Sequence, residues 1–255
     1  MFYKELIKRL IVSRFDAALA GGRRAREYLV ELGMPPEAVF VGYDAVDNSY
    51  FQREARARRN DLAALRARLG LPERFFLMIT RFVEKKNIPR TVEAYRRYRR
   101  KAREPWGLVI CGYGPMEDEV KRLAASTEGF RFPGAVDYST APDYYAAASG
   151  YLLTSTTEQW GLVVNEAMAS GLPVIVSERA GCCPDLVEDG GNGFTVDPFD
   201  TDSIARAMER LSSLPPDRLA AFGRRSEEII SEWGPERFAE GLRAAVEYAR
   251  RKRRS

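Results

Sequence analysis

The sequence predicts an α/β fold in which a parallel sheet is flanked by helices. Short apolar, β-favouring segments alternate along the chain with longer segments of helical periodicity, an order typical of βαβ units. The segments 77–79 and 108–110 are continuously apolar, as expected for strands that are buried on both faces. Residues that favour helix ends lie at the ends of the helical segments: Asp200 or Thr201 can cap the start of one helix, and Gly171 can end another.

The individual elements follow from these periodicities. We predict strands at 75–80, 108–111, 151–154, 173–176 and 194–196. We predict helices at 54–69, 89–101, 116–126, 141–148, 163–170, 201–211, 216–232 and 235–251.

The first fifty residues repeat this pattern on a smaller scale. Strands are predicted at 17–20 and 39–41, with a helix at 23–32 between them. Two short strands do not form a stable sheet alone, so we expect further structure beside them. The polar stretch 47–49 is interpreted as the linker to the main domain.

Composition excludes several classes of protein. With 45% hydrophobic and 30% charged residues, the chain of 255 residues is typical of a globular domain. It has no apolar run of the roughly 18–20 residues that span a bilayer and no signal-peptide pattern, so a cytoplasmic location is expected. The chain contains no histidine, which excludes Ser-His-Asp and Cys-His hydrolases and argues against a zinc site. Cys182 and Cys183 are interpreted as small buried or loop residues.

Two basic segments are compatible with a contact at the inner face of a membrane. Residues 1–14 have apolar side chains at helical spacing among lysines and arginines. This helix either lies on a membrane surface or docks on a neighbouring structure. The basic run 250–254 is better explained as a solvated helix end than as a contact with an anionic membrane. We do not predict nucleic-acid binding.

Basic and glycine residues follow two of the predicted strands. Arg81 and Lys86 come after the first of them, where a parallel sheet binds its ligands, and they could neutralise a diphosphate. A solvated basic loop explains this segment slightly better when it is taken alone. Gly112 and Gly114 follow the next strand and permit a tight turn or a close backbone approach. Glu117 breaks the full Gly-x-Gly-x-x-Gly pattern, so a dehydrogenase has little support.

The segment 154–175 is the most informative one. A buried strand ends, a polar loop carries Glu158, a glycine turn follows at Gly161, and a helix begins near Leu162. The unpaired amides at such a helix start suit a diphosphate. Glu166, about one turn into the helix, can accept hydrogen bonds from ribose hydroxyls, whereas Glu158 faces whatever is attached to the far phosphate.

These residues resemble the signature of the family 4 retaining glycosyltransferases, a Glu-x7-Glu motif in a Glu-x-Phe-Gly-Leu-x-x-x-Glu-Ala setting. Trp160 stands where the family usually has phenylalanine. The match covers Glu158, Gly161, Leu162, Glu166, Ala167, Gly171, Pro173 and Val174. Further matches are the Arg-x4-Lys pair of Arg81 and Lys86, the turn at Gly112, Gly114 and Pro115, and the segment 132–136, which ends in Val136 beside the nucleobase.

The resemblance implies a Rossmann-like domain from an enzyme of two such domains, the GT-B fold. Arg81 and Lys86 would stabilise the departing nucleoside diphosphate, Glu158 would contact the donor sugar, and Glu166 would bind ribose. Trp160, Gly161, Leu162, Gly112, Gly114 and Val136 would complete the donor site. The sugar would be transferred with retention of configuration by a front-face mechanism. No cofactor or metal would be required.

The resemblance also implies three parts of the chain. Residues 1–47 would be a remnant of the N-terminal acceptor domain, 48–232 the nucleotide-sugar domain, and 233–255 a basic-tailed helix that packs back on the N-terminal domain. The acceptor, an unidentified sugar or a lipid-linked sugar, would then be bound by a domain on another chain or on a longer one. The alternative is a non-catalytic nucleotide-sugar-binding module, and an epimerase or a phosphorylase is a third, weaker hypothesis.

Overall fold

The structure is a computed structural model that describes residues 2–254. The chain divides into two compact units. One, here called the terminal unit, contains the residues up to Asp47 and those from Glu232 onward; the other, the sheet unit, is Asn48–Ser231. Within residues 2–254, we find no helix that is long and apolar enough to cross a membrane.

Strands and helices alternate along most of the chain. The strands are β1 (Ala18–Ala20), β2 (Val39–Val41), β3 (Phe75–Ile79), β4 (Gly107–Cys111), β5 (Phe130–Gly134), β6 (Gly150–Leu153), β7 (Val174–Ser177) and β8 (Gly193–Val196). The α-helices are α1 (Phe2–Val12), α2 (Arg23–Glu31), α3 (Asn48–Arg58), α4 (Leu62–Leu69), α5 (Ile88–Lys101), α6 (Glu117–Ala124), α7 (Ala141–Ala147), α8 (Leu162–Ala169), α9 (Cys183–Leu186), α10 (Thr201–Ser212), α11 (Pro216–Ser231) and α12 (Pro235–Lys252).

The terminal unit is built around two short parallel strands. β1 and β2 pair from Ala18 with Val39 to Ala20 with Val41. Tyr248 of α12 packs against the small apolar core that these strands form. At the end of α12, Arg253 donates a hydrogen bond of 2.6 Å to Asp16. The basic C-terminal segment is thus tied to this unit by an ion pair.

The sheet unit contains six parallel strands in the order β5-β4-β3-β6-β7-β8. The chain first builds outward from β3 to β5 and then returns to the other side of β3 with β6. Such a reversal opens a crevice at the carboxyl ends of the two central strands. Helices cover the sheet, and β3, β4, β6 and β7 are buried almost throughout. The predicted α/β fold with a parallel sheet flanked by helices is confirmed.

Two predictions near the start of the sheet unit are wrong, one of a helix and one of a linker. The single helix predicted at 54–69 is two helices, α3 and α4, separated by a 3-10 turn at Arg59–Asp61. Asp61 caps the second helix by accepting a hydrogen bond of 3.0 Å from the amide of Ala64. Asn48 and Ser49 form the first turn of α3, so they are not a linker. The Asn48 amide group donates to the carbonyl of Ile230, 2.8 Å away, and so ties the helix start to the end of α11.

One strand and one short helix were not predicted. β5 lies at the edge of the sheet, where its residues alternate between buried and exposed, and it contains a proline. An edge position tolerates proline because one side of the strand donates no ladder hydrogen bond. The four-residue helix α9 is too short to show a helical period.

The loops that follow β3 and β4 are in direct backbone contact. The amide of Thr80 donates to the carbonyl of Cys111 at 2.9 Å, and the amide of Phe82 donates to that of Tyr113 at 2.8 Å. Between them, Gly112 has φ 143°, and a Cβ atom there would lie 1.7 Å from the carbonyl oxygen of Thr80. Gly112 therefore allows the loop after β4 to lie directly against the loop after β3.

We expect Gly112→Ala to destabilise the sheet unit by at least about 2 kcal/mol more than Gly70→Ala, as judged by urea unfolding. Gly70 also has positive φ, 62°, but a Cβ atom there meets nothing within 4 Å. Both variants therefore carry backbone strain, and only the first adds a clash with a neighbouring backbone. Equal losses in the two variants would show that the loops separate at little cost.

Candidate functional site

A cavity of about 380 Å³ lies at the carboxyl ends of β3, β4 and β5, on the side where the chain order reverses. This is the position at which open parallel sheets bind ligands. The cavity is lined by Ile79, Thr80, Arg81, Val83, Lys85, Lys86, Gly112, Tyr113, Ala135, Val136 and Val163. Four of the predicted site residues are therefore on its wall: Arg81, Lys86, Gly112 and Val136.

The wall combines positive charge with an apolar surface. Arg81, Lys85 and Lys86 place three basic side chains around the cavity, all from the loop after β3. Val136 and Val163 belong to the apolar part of the wall. A ligand that joins an anionic group to a flat, largely apolar group is complementary to such a surface.

Lys86 and Glu158 form an ion pair at the edge of this cavity. The Lys86 ammonium donates to Oε2 of Glu158, and the two side chains are only 15% and 13% exposed. The hydroxyl of Ser155 donates to the same oxygen at 3.3 Å. The structure thus brings together two predicted residues that lie 72 positions apart in the chain.

Asn87, the residue after Lys86, fixes this loop in place. Its backbone is left-handed, with φ 59°, and the residue is buried. Its side-chain amide donates to the carbonyl of Thr154 at 3.1 Å and to that of Pro198 at 2.7 Å. The backbone of Lys85 is also held, because its carbonyl accepts a hydrogen bond of 2.8 Å from the amide of Thr156. The loop after β3 is therefore fastened to the carboxyl end of β6.

The start of α8 faces the cavity. Gly161 precedes the helix with φ 112° and provides no side-chain cap, so the first helix amides have no intrahelical acceptor. Leu162 is 41% exposed, and Val163 lies on the cavity wall. These amides and the positive end of the helix dipole favour an anion at this position.

Trp160 lies beneath the loop rather than in the cavity. Its side chain is 3% exposed, and the indole N–H donates to Oδ1 of Asn165 at 2.9 Å. Gly114 is also away from the cavity wall, because it packs against the backbone of Phe82. Both residues support the loops around the cavity.

Glu166 is held by a buried tyrosine. The Tyr145 hydroxyl donates to Oε2 of Glu166 at 2.7 Å. Burial raises the pKa of the Glu166 carboxyl above its usual value, and the hydrogen bond from Tyr145 lowers it in part. The carboxyl group is therefore partly desolvated in the absence of a ligand.

A larger cavity of about 490 Å³ lies at the opposite ends of the strands. Arg74, Arg99 and Arg131 line it, together with residues that precede β3 and β4. The amino ends of strands in an open parallel sheet are not where its ligands bind. The candidate site is therefore the smaller cavity beside α8.

A comparison with protein families places the chain in a known family. Residues 64–228 match the model of the glycosyl transferases group 1. The chain belongs to this family. The matched range includes the cavity, both glutamates of the Glu158 and Glu166 motif, and most of the sheet unit.

Curated relatives of this group 1 chain are about one third identical to it. A GDP-mannose-dependent alpha-(1-6)-phosphatidylinositol monomannoside mannosyltransferase of Mycolicibacterium smegmatis is 30% identical over 228 residues, which cover 85% of this chain and 54% of the relative. An alpha-D-kanosaminyltransferase of Streptomyces kanamyceticus is 30% identical over 215 residues, which cover 82% and 54%. The chain spans about half the length of these relatives.

Solved structures share the fold. HepE of Anabaena in complex with UDP and glucose has a TM-score of 0.75 at 20% identity, covering 95% of this chain and 67% of that protein. A sucrose-phosphate synthase of Thermosynechococcus elongatus has a TM-score of 0.77 at 22% identity, covering 100% and 63%. The Rossmann-like sheet of the GT-B type is thus confirmed for this family member.

Some residues around the group 1 site were not singled out from the sequence. Lys85 and Tyr113 line the cavity. Asn87 fixes the loop that carries Lys86, and Tyr145 donates a hydrogen bond to Glu166. The sequence contained a signal for Tyr113, because it is an aromatic residue between two glycines in a predicted strand-to-helix turn. In the structure its side chain is 63% exposed. Within residues 2–254, no three histidine, cysteine or carboxylate side chains converge into a set that could hold a metal ion.

We expect Asn87→Ala to lower the free energy of unfolding by about 2–4 kcal/mol, because two buried hydrogen bonds are lost and alanine disfavours positive φ. The carbonyl of Thr154 loses its side-chain donor, whereas that of Pro198 keeps the longer hydrogen bond from Arg90 at 3.3 Å. Urea unfolding measures the change. Asn87→Gly is the matched control, since glycine accepts the left-handed backbone and reports the lost hydrogen bonds alone. A decrease in the free energy of unfolding of less than about 0.5 kcal/mol is typical of a neutral surface substitution, and it would contradict the role of Asn87 in holding the loop.

We expect Glu166→Gln to stabilise the ligand-free protein progressively as the pH rises from 4 to 8. Folding raises the pKa of Glu166, so the folded protein holds the proton of this carboxyl more tightly than the unfolded chain does. The contribution of Glu166 to stability is therefore greatest below the pKa of the unfolded chain, and it is lost as the pH rises through the pKa of the folded protein. Glutamine does not ionise, so the variant does not lose stability in this way as the pH rises. Urea unfolding at several pH values measures the difference. Glu128→Gln, at a side chain that is 95% exposed, is the control and should show no such trend.

Proposed function

We propose that this chain is the nucleotide-sugar-binding part of a family 4 glycosyltransferase, which transfers a sugar from a nucleoside-diphosphate sugar with retention of anomeric configuration. The observation that carries the proposal is the pair of Lys86 and Glu158 at a basic cavity beside the start of α8. It supports the proposal because an ammonium suited to a diphosphate lies next to a carboxylate suited to sugar hydroxyls. The names of several relatives, such as the GDP-mannose-dependent enzyme, support this class of donor.

The diphosphate would bind between the basic loop and α8. Arg81 offers a planar fork of N–H groups, and Lys86 offers a compact positive charge. The amides of Leu162 and Val163 add the positive end of the helix dipole. All of these groups act more strongly as negative charge builds up on the leaving phosphate, so they lower the barrier to departure of the nucleotide.

The remaining parts of the donor would occupy the two sides of the diphosphate. Val136 belongs to the apolar wall and would contact the base, and Glu166 would accept hydrogen bonds from the ribose hydroxyls. Glu158 would accept hydrogen bonds from the donor sugar. In the ligand-free protein Glu158 is paired with Lys86, so donor binding would exchange this ion pair for contacts of each partner with the ligand.

Retention would follow from a front-face reaction. The bond between the anomeric carbon and the phosphate oxygen breaks, the acceptor oxygen attacks from the same side, and the leaving phosphate takes the acceptor proton. The residues of this chain hold the donor and stabilise the developing diphosphate charge. Such a scheme requires neither a histidine base nor a metal, and no cofactor beyond the donor itself.

The acceptor side is also a proposal. We propose an acceptor that is a sugar or a lipid-linked sugar, bound by a domain outside the sheet unit, on a partner chain or on a longer form of this one. Calorimetric titration with UDP-glucose and GDP-mannose tests the donor. Release of the nucleotide in the presence of an acceptor domain supports the transferase, whereas binding without release under those conditions supports a non-catalytic binding module.

We expect Arg81→Ala and Lys86→Ala to weaken binding of UDP or GDP by about 10–100-fold, because each removes a charge-assisted contact with the diphosphate. Binding of uridine or guanosine, followed by ligand-observed NMR, should change by less than about threefold. Lys101→Ala is the control, since it removes the same charge from the distant end of α5.

Loss of Lys86 also leaves the charge of Glu158 without its ammonium partner, so the stability of that variant is measured in parallel. Arg81 is exposed, and its variant reports ligand contacts alone. Unchanged affinity for both diphosphates in both variants would contradict the site assignment.

A further inference from the structure

Tyr145 is a buried residue whose hydroxyl has a defined partner. Its side chain is 0% exposed, and its ring lies 5.9 Å from the rings of Phe51 and Tyr151, centroid to centroid. The hydroxyl donates to Oε2 of Glu166 at 2.7 Å. The position of this hydroxyl is therefore set by packing within the sheet unit and does not depend on a ligand.

The Tyr145 hydroxyl is the donor in this contact whenever Glu166 is ionised. Burial and the neighbouring charge of Glu166 raise the pKa of the phenol well above its usual value. A neutral phenol next to a carboxylate can only donate to it. The direction of the hydrogen bond is thus fixed as well as its position.

This hydrogen bond leaves one carboxylate oxygen for a ligand. Among residues 2–254, the Tyr145 hydroxyl is the one hydrogen-bond donor to the side-chain carboxylate of Glu166, and it contacts Oε2. Oε1 has no such partner within the described chain. Because a carboxylate is planar, holding one oxygen restricts the rotation of the group and the direction in which the other oxygen accepts.

We propose that Tyr145 is a positioning residue, which aims Oε1 of Glu166 at the vicinal hydroxyls of the donor ribose and so makes the site selective for ribonucleotides. This inference rests on the proposed function, since it assumes that Glu166 faces ribose. Tyr145 acts through Glu166 and does not touch the ligand. Without its hydroxyl, the carboxylate rotates freely, and its oxygens are shared between the ligand and water.

The test compares two nucleotides that differ only in the ribose hydroxyls. UDP and GDP are titrated first, and the tighter ligand is compared with its 2′,3′-dideoxy form by calorimetry. In the unsubstituted protein the dideoxy form should bind more weakly. In Tyr145→Phe, the affinity for the ribonucleotide should fall by about tenfold while that for the dideoxy form stays the same, so the selectivity falls by the same factor.

Two further variants make the result specific. Tyr144→Phe removes a hydroxyl from the neighbouring residue of α7 and should leave the selectivity unchanged. Combining Tyr145→Phe with Glu166→Ala should have no more effect on ribonucleotide affinity than Glu166→Ala alone, because the hydroxyl acts only through the carboxylate. Phenylalanine keeps every ring contact of Tyr145, and thermal unfolding confirms that the variant is folded.

The outcomes separate this inference from the function on which it rests. Selectivity that is lost in Glu166→Ala but is kept in Tyr145→Phe would overturn the positioning role alone. Selectivity that is kept in Glu166→Ala would overturn the assignment of Glu166 to ribose, and the inference with it. An equal loss of affinity for both nucleotides in Tyr145→Phe would show a structural role and would also overturn the proposal.

Discussion

The site depends on one buried hydrogen-bonding residue, Asn87. Its side chain joins three segments that are far apart in the chain: the loop after β3, the end of β6 at Thr154, and the segment that contains Pro198. The neighbouring residue, Lys86, meets Glu158 only because this loop is held against β6. A buried amide that donates to two carbonyl groups leaves little freedom for the loop to move, since a displacement would break both hydrogen bonds.

The ligand-free site already contains a balanced pair of charges. The ammonium of Lys86 lies against the carboxylate of Glu158, whereas Arg81 is exposed. An isolated, largely buried carboxylate would be costly, so the Lys86 ammonium stabilises the charged form of Glu158. In the proposed function, a diphosphate would supply negative charge for Lys86 and a sugar would supply hydroxyl donors for Glu158. Each side chain would then replace its present partner with a ligand group that makes a similar interaction. Such an exchange avoids leaving a buried charge alone at any stage of binding.

Much of this arrangement can be predicted from the sequence, and the exceptions have physical causes. Continuous apolar segments identify the central strands because those strands are buried on both faces. The edge strand β5 escapes prediction because its exposure alternates and it contains a proline. Trp160 stands at a motif position, yet its side chain is buried, and its indole N–H donates a hydrogen bond to Asn165. The partners of Asn87 lie 67 and 111 residues away, and no local pattern predicts such contacts.

The strand order also affects how the protein reaches its native state. β3 pairs with β6, where Phe76 lies beside Gly150, although two strands that lie on the other side of β3 come between them in the chain. The walls of the cavity come from segments that are far apart in the chain, and bringing such segments together costs loop entropy. Partially folded chains that contain only the first three strands of the sheet would have the basic loop without its glutamate. The ability to hold a ligand thus arises together with the completed sheet, and a ligand that binds there stabilises the whole unit against unfolding.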